Sequence, residues 1–193
     1  METEYISITD LMPDRESLAA GAAISLQRQG ILMSGEAISP PRQGALMSRQ
    51  EIEEIAFCWQ ENHNGNTDYI PEGRIHRTSD GICVRSKSEL VIYEYLKSHG
   101  IAFVYERPLQ VIDHWRYPDF TLIRKSDGKV FIWEHLGRMS DPQYHRKNID
   151  KIYEYMADDY LPFRDILFSY DYEDGSIDLW ELDRMLRAMG FID

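Results

Sequence analysis

The chain has 193 residues, of which 43% are hydrophobic, so it can bury one core and a modest appendage rather than two full domains. Its formal net charge of -12 argues against a protein that binds nucleic acid over its whole surface, because phosphate binding normally requires a basic face. The acidity is compatible with a magnesium site, which needs clustered carboxylates, and it favours an oligomer or a protein partner.

The sequence carries no sign of membrane insertion or export. No apolar run approaches the roughly 18 to 20 residues of a membrane span, and the first ten residues, METEYISITD, lack the basic start and apolar middle of a signal peptide. We therefore expect no membrane partner and a cytoplasmic location. The cysteines, Cys58 and Cys83, predict reduced structural thiols rather than a zinc site or a disulfide framework.

A 14-residue unit is duplicated near the N-terminus, as GAAISLQRQGILMS at residues 21–34 and GEAISPPRQGALMS at residues 35–48. Two copies are too few for a solenoid, and the Pro-Pro pair at 40–41 excludes one continuous helix. One interpretation is a duplicated linker. The other is a docking segment for a protein partner or a second copy of the chain, with the Leu-Met pairs at 32–33 and 46–47 as apolar anchors.

A helix and a hairpin are predicted between residues 48 and 87. Ser48 and Glu51 form a capping-box pattern that opens an amphipathic run ending at NHNGN, and the segment GRIHRTSDGICVRS predicts two short strands around a turn at 79–81. Basic residues are concentrated around this hairpin, among them Arg77, Arg85 and Lys87. They form either a solvated hairpin face or a surface that contacts nucleic-acid phosphates.

From residue 86 onward the predicted elements alternate regularly, and we divide the chain into an N-terminal extension at 1–81 and a domain at 82–193. A helix closed by Gly100 is followed by three strands, a polar-rich helix, a fourth strand and a closing amphipathic helix. The predicted ranges are 86–100 for the helix, 101–111, 116–124 and 129–136 for the strands, 141–160 for the second helix, 165–173 for the fourth strand and 178–190 for the last helix.

Three short motifs follow one another in this domain: Ser-Glu at 88–89 on the first helix, PDF at 118–120 on the second strand, and WEHLG at 133–137 at the end of the third. This combination resembles the PD-(D/E)XK nuclease superfamily. The resemblance implies an α/β restriction-endonuclease-like core, in which a mixed central sheet is flanked by helices in the order α-β-β-β-α-β-α. It also implies Mg²⁺ or Mn²⁺ held by Asp119 and Glu134, with Glu89 and the main-chain carbonyl of His135 assisting.

The residue types suit this chemistry independently of the resemblance. Alternate side chains of a strand share a face, so Glu134 and Leu136 point one way while Trp133 and His135 point the other. A neighbouring strand can therefore bring Asp119 beside Glu134. Two hard oxygen ligands suit Mg²⁺ or Mn²⁺, and a bound ion can polarise a phosphate and lower the pKa of an attacking water. A structural or solvent-exposed acid is the alternative for each carboxylate.

Glu89 has two interpretations. The superfamily often carries a glutamate on this helix that reaches the metal directly or through water. However, Ser86 and Glu89 also satisfy the capping-box pattern, in which the glutamate only hydrogen-bonds to the start of the helix.

The superfamily lysine, two residues after the second acid, is replaced here by Leu136. His135 is adjacent but points away from Glu134 unless the chain bends at Gly137. The next helix has one stripe predicted to be buried and, beside it, a second stripe that carries Lys151 and Tyr155, where a RecB-like branch of the superfamily has a Gln-x-x-x-Tyr pattern. The buried stripe is predicted to be His145, Ile149, Ile152 and Met156, and the second stripe Tyr144, Asn148, Lys151 and Tyr155.

We therefore expect Lys151 to replace the missing lysine, with His135 and Tyr155 as further groups that orient phosphate or water. The alternative is an exposed helix lysine paired with Glu154 or Asp158. The predicted function is a metal-dependent phosphodiesterase that acts on nucleic acid, with DNA favoured over RNA. The alternatives are a catalytically inactive module of the same fold that binds nucleic acid or a protein partner, and a subunit that docks on a partner through residues 21–48.

Overall fold

A computed structural model describes residues 48–65 and 71–193, which form a mixed α/β fold around a four-stranded mixed sheet. The duplicated segment at 21–48, and with it the predicted docking role, lies outside the described residues apart from Ser48. In the part of the chain that the structure describes, none of the helices has the length and apolar character needed to cross a membrane.

The elements before residue 87 follow the local sequence signals. Helix α1 spans Arg49–Glu61 and begins with the predicted capping box, in which Ser48 and Glu51 satisfy each other's backbone N–H groups. A 3-10 turn at Pro71–Gly73 precedes strands β1 (His76–Arg77) and β2 (Cys83–Val84), which pair antiparallel as the predicted hairpin.

The remaining elements alternate as expected from the sequence, with one additional hairpin. They are α2 (Lys87–Ser98), β3 (Ala102–Tyr105), β4 (Leu109–Val111), β5 (His114–Arg116), β6 (Phe120–Ile123), β7 (Val130–Leu136), α3 (Pro142–Ala157), β8 (Ile166–Tyr170) and α4 (Leu179–Ala188). The predicted strand at 101–111 is wrong in its extent, because it is divided between β3 and β4. Glu106 adopts a left-handed backbone conformation with φ of 47°, and Pro108 follows, so the extended chain cannot continue.

The main sheet has the strand order β3-β6-β7-β8. Strands β3, β6 and β7 are mutually antiparallel, whereas β7 and β8 are parallel and are joined through α3. Since β8 starts beside Ile132 near the middle of β7, α3 must run back along the sheet from the carboxyl end of β7. The N-terminal half of α3 therefore lies at the edge where β7 and β8 end.

Helices cover both faces of the sheet. Large apolar and aromatic side chains, including Phe103, Phe120 and Trp133, fill the face that packs against α2 and α4. The other face carries two smaller clusters. In one of them α1 packs against Ala102 and Ile123, so the packed unit includes residues before the predicted domain start at residue 82. In the other, Tyr155 of α3 packs among apolar residues of the sheet and the β4-β5 hairpin.

Candidate active site

Asp119 and Glu134 lie side by side at the ends of adjacent antiparallel strands. The register pairs Phe120 with Trp133, which makes Asp119 and Glu134 the next cross-strand neighbours, on the face of the sheet that α3 covers. The main-chain N–H of His135 donates to Oδ2 of Asp119 at 2.6 Å, which orients this carboxylate. The sequence therefore correctly predicted that these two acids are brought together.

Glu134 is fully buried and both of its carboxylate oxygens have protein donors. Nζ of Lys151 lies 2.7 Å from Oε2, and the hydroxyl of Tyr155 donates to Oε1 at 2.6 Å. The predicted alternative, in which Lys151 pairs with Glu154 or Asp158 at the surface, is not what the structure has. Lys151 instead brings its charge to the face of β7 that carries Glu134.

The stripe of α3 that faces the sheet is the polar one, which corrects the predicted burial. Asn148 and Tyr155 are the buried residues of this helix, whereas His145 is exposed and Met156 is 41% exposed. Tyr155 packs its ring against Ile132 while its hydroxyl reaches Glu134. A buried carboxylate without donors would cost several kcal/mol, and this cost outweighs the free energy that burial of the apolar stripe would contribute.

The charges of this cluster act strongly on one another. Burial, and then the negative charge of Glu134, raise the pKa of Asp119 well above its usual range. Burial lowers the pKa of Lys151, but the charges of Glu134 and Asp119 outweigh it and the pKa is raised overall. Burial and the adjacent Glu134 carboxylate also raise the pKa of Tyr155. Two carboxylates and one ammonium leave a net negative charge, which favours protons or added cations.

Glu89 is buried at 8% exposure and belongs to a neighbouring polar cluster. Its Oε2 accepts from the hydroxyl of Tyr105 at 2.7 Å and from the main-chain N–H of Arg85 at 3.0 Å. In a reciprocal capping box the Glu89 carboxylate would accept from the main-chain N–H of Ser86. Here it accepts from the main-chain N–H of Arg85, one residue earlier in the chain. After burial and the charge of Glu134, the negative charge of Glu89 also raises the pKa of Asp119, while the positive charge of Lys151 opposes the rise.

The imidazole of His135 forms its hydrogen bonds on the face of the sheet opposite Glu134, as strand alternation predicts, so it does not contact the paired acids. Its Nδ1 lies 2.8 Å from the hydroxyl of Ser169, and its Nε2 lies 2.9 Å from Oδ1 of Asp171. The indole N–H of Trp133 donates to the same Ser169 oxygen at 2.8 Å, so Ser169 links Trp133 to His135. This network holds the end of β7, and thereby the main-chain N–H that orients Asp119.

The acid of this network, Asp171, was not predicted from the sequence, although its position at the end of a strand could have indicated it. Asp171 follows β8 directly and also accepts from the hydroxyl of Ser88 on α2 at 2.6 Å. At Gly137 a β-carbon would come within 2.9 Å of the Asp171 carboxylate, so glycine allows this close approach. A polar residue at the carboxyl end of a buried strand, opposite a glycine, is the pattern that would have identified Asp171.

The three basic residues predicted to contact nucleic acid differ in their surroundings. Arg77 and Lys87 are exposed on the hairpin and at the start of α2. The guanidinium of Arg85 is partly buried and forms an ion pair with Glu106, which also pairs with Arg74. The charge of Arg85 is therefore largely compensated within the protein.

The two adjacent carboxylates are a suitable donor set for a hard divalent ion. Within residues 48–65 and 71–193, no group of three or more His, Cys, Asp or Glu side chains is arranged to hold a metal. Mg²⁺ is usually bound through one or two carboxylates together with waters and substrate phosphates, so Asp119 and Glu134 fit this mode. Burial and then the charge of Glu134 raise the pKa of Asp119, and such an ion would neutralise part of that negative charge.

Comparison of the chain with models of protein families, with curated proteins and with solved structures found no match.

Proposed function

We propose that this protein is a divalent-metal-dependent nuclease that hydrolyses phosphodiester bonds in nucleic acid, DNA in preference to RNA, with Mg²⁺ or Mn²⁺ as cofactor. We also propose that its core is a divergent restriction-endonuclease-like fold of the PD-(D/E)XK superfamily, in which the lysine has moved from position 136 to position 151. The observation that carries the proposal is the 2.7 Å contact between the ammonium group of Lys151 and the fully buried carboxylate of Glu134.

Asp119 and Glu134 are the residues that would hold the ion. When bound, the ion supplies Lewis-acid polarisation of the phosphate and lowers the pKa of the attacking water. The His135 main chain and the Tyr155 hydroxyl fix the two carboxylates in place, each through a hydrogen bond of 2.6 Å. Fixed ligands reduce the reorganisation that the reaction requires.

Lys151 contributes a positive charge and not a base. Its pKa is raised because the attraction of Glu134 and Asp119 exceeds the effect of burial, so the amine is protonated at neutral pH. A protonated amine beside the carboxylates can donate to a non-bridging phosphate oxygen, where negative charge develops in the transition state. Leu136, on the same strand as Glu134, is 2% exposed and has no charged group, so the positive charge comes from Lys151 on α3.

A second candidate function is an inactive module that binds nucleic acid or a protein partner. It is favoured by the complete occupation of Glu134, whose two oxygens already accept from Lys151 and Tyr155. In an active enzyme Glu134 would hold the ion while still accepting from Lys151, whereas in an inactive module Lys151 would take the place of the ion.

The two candidates differ in metal-dependent turnover. Purified full-length protein would be incubated with labelled DNA and RNA, with Mg²⁺ or Mn²⁺, and the products resolved on denaturing gels. We expect cleavage that Asp119→Asn and Glu134→Gln both abolish. The matched control is Asp127→Asn, an acid paired with Arg124 in the turn at the opposite edge of the sheet, which should cleave normally. Cleavage that continues unchanged in excess chelator would refute the metal-dependent mechanism, and binding without any cleavage would support the inactive module.

A further inference from the structure

The edge of the sheet beside the candidate active site combines unpaired positive charge with an exposed aromatic side chain. Strands β7 and β8 both end at this edge, and α3 starts there. Ligands of α/β folds commonly bind outside the carboxyl ends of parallel strands, so we expect the substrate to bind along this edge of the sheet.

The positive charge lies on α3. Lys147 is four residues before Lys151 and therefore on the same side of the helix, one turn closer to the edge of the sheet. Arg146 and Lys147 are both exposed, and in the described part of the chain neither takes part in an ion pair with an acid. Among residues 48–65 and 71–193, most of the other cations form an ion pair with an acid, as Arg116 does with Glu154 on the same helix. Lys147 and Lys151 thus form a short positive track that leads to Glu134.

The aromatic group is Tyr170, the last residue of β8. Its Cα pairs with that of Leu136 in the parallel register, and directly paired residues of a sheet point to the same face. Tyr170 therefore projects on the side of Glu134, one strand away and two residues nearer the edge. It is 54% exposed, so its ring is accessible to a ligand on this side of the sheet.

We propose that the substrate of this site is a single-stranded segment of nucleic acid, with its phosphates along Lys147 and Lys151 and a base stacked on Tyr170. This proposal rests on the proposed nuclease function and specifies its substrate class. A tight duplex binder relies on roughly six to ten phosphate contacts, which a chain with a net charge of -12 is poorly equipped to make. Stacking of an unpaired base does not depend on net charge and needs a base that is out of the duplex.

The test measures binding separately from cleavage. Fluorescence anisotropy would compare a labelled thymidine oligonucleotide of about 15 nucleotides, within the usual site sizes, with a blunt duplex of the same length. The full chain would be used with Ca²⁺, which takes the same oxygen ligands as Mg²⁺. We expect tighter binding of the single strand, and a loss of roughly ten-fold or more in Tyr170→Ala with little change in Tyr170→Phe, which keeps the ring.

Charge is tested with Lys147→Gln, which should weaken binding and reduce the salt slope by about 0.7, the value for one phosphate contact to a single strand. Matched controls are Tyr153→Ala, an exposed tyrosine outside the sheet-facing stripe of α3, and Lys125→Gln in the turn at the opposite edge. Both should bind like the wild type. Equal or tighter binding of the duplex, or unchanged binding by Tyr170→Ala, would overturn the proposal. Failure of the wild type to cleave with Mg²⁺ or Mn²⁺ would instead overturn the nuclease function, and the anisotropy result would still decide the role of Tyr170.

Discussion

Replacement of Lys151 by alanine tests both the stability and the chemistry of the candidate site. Glu134 is fully buried, and without Lys151 the Tyr155 hydroxyl is its one remaining donor among the hydrogen bonds described above. Removal of one partner of a buried ion pair costs about 3–5 kcal/mol, and the 27% exposure of the lysine side chain suggests the lower end, about 3 kcal/mol. For a chain of this size that loss lowers the melting temperature by about 6–12 °C.

The catalytic effect should exceed what lost stability explains. At a temperature where Lys151→Ala remains folded, we expect the single-turnover cleavage rate to fall by a factor on the order of 10² to 10³, the effect of removing one preorganised electrostatic donor. Mn²⁺ should raise the melting temperature of this variant more than that of the wild type, because the ion then supplies the missing positive charge. Circular dichroism melting curves and denaturing-gel assays would measure the two quantities.

Two further variants separate charge from position. Lys151→Met combined with Glu134→Gln removes the unpaired charge, so it should recover stability without recovering cleavage. Leu136→Lys in the Lys151→Ala background should restore part of the rate, because residue 136 lies on the same face of β7 as Glu134. If Lys151→Ala both melts and cleaves like the wild type, the lysine has no role in the site and the reasoning is refuted.

Three other substitutions give distinct outcomes. The pKa of Asp119 is raised in the folded protein, so its stabilising contribution is present at acid pH and is lost as the pH rises through that pKa. Asp119→Asn should therefore stabilise the metal-free protein at neutral pH by on the order of 1 kcal/mol. In acid, the difference in stability between this variant and the wild type should vanish. Glu89→Gln keeps an acceptor for the groups that donate to Glu89, but it removes a charge that raises the pKa of Asp119. Titrations with Mn²⁺ should therefore show the pH dependence of metal affinity displaced to lower pH. An unchanged pH profile together with normal cleavage would exclude a role for Glu89 in the site. His135→Ala should lower the free energy of unfolding by about 1–3 kcal/mol, because it breaks a buried hydrogen-bond network. The folded variant should still cleave within about ten-fold of the wild-type rate, because the main-chain N–H of residue 135 still orients Asp119. Complete loss of cleavage in folded protein would place the imidazole in the reaction.

Local signals in the sequence were sufficient for the helices and for the paired acids. Ser48, Ser86, Asp141 and Asp178 each cap a helix where the residue pattern predicts one to begin. Strand alternation separated Glu134 from the His135 imidazole, and helical spacing put Lys151 and Tyr155 on one stripe. These features depend on neighbours within a few residues, so the sequence contains the information needed to predict them.

Only the tertiary structure decided which stripe of α3 faces the sheet and where the strands are interrupted. Apolar periodicity favoured Ile149 and Met156 as the buried positions, but the carboxylate of Glu134 lies under this helix and requires donors from it. The left-handed backbone of Glu106 is likewise accompanied by two arginines that are 32 and 21 residues away in sequence. The burial of the polar stripe depends on compensating a buried charge with groups distant along the chain, and the cost of leaving that charge unpaired exceeds the local preferences that a sequence pattern records.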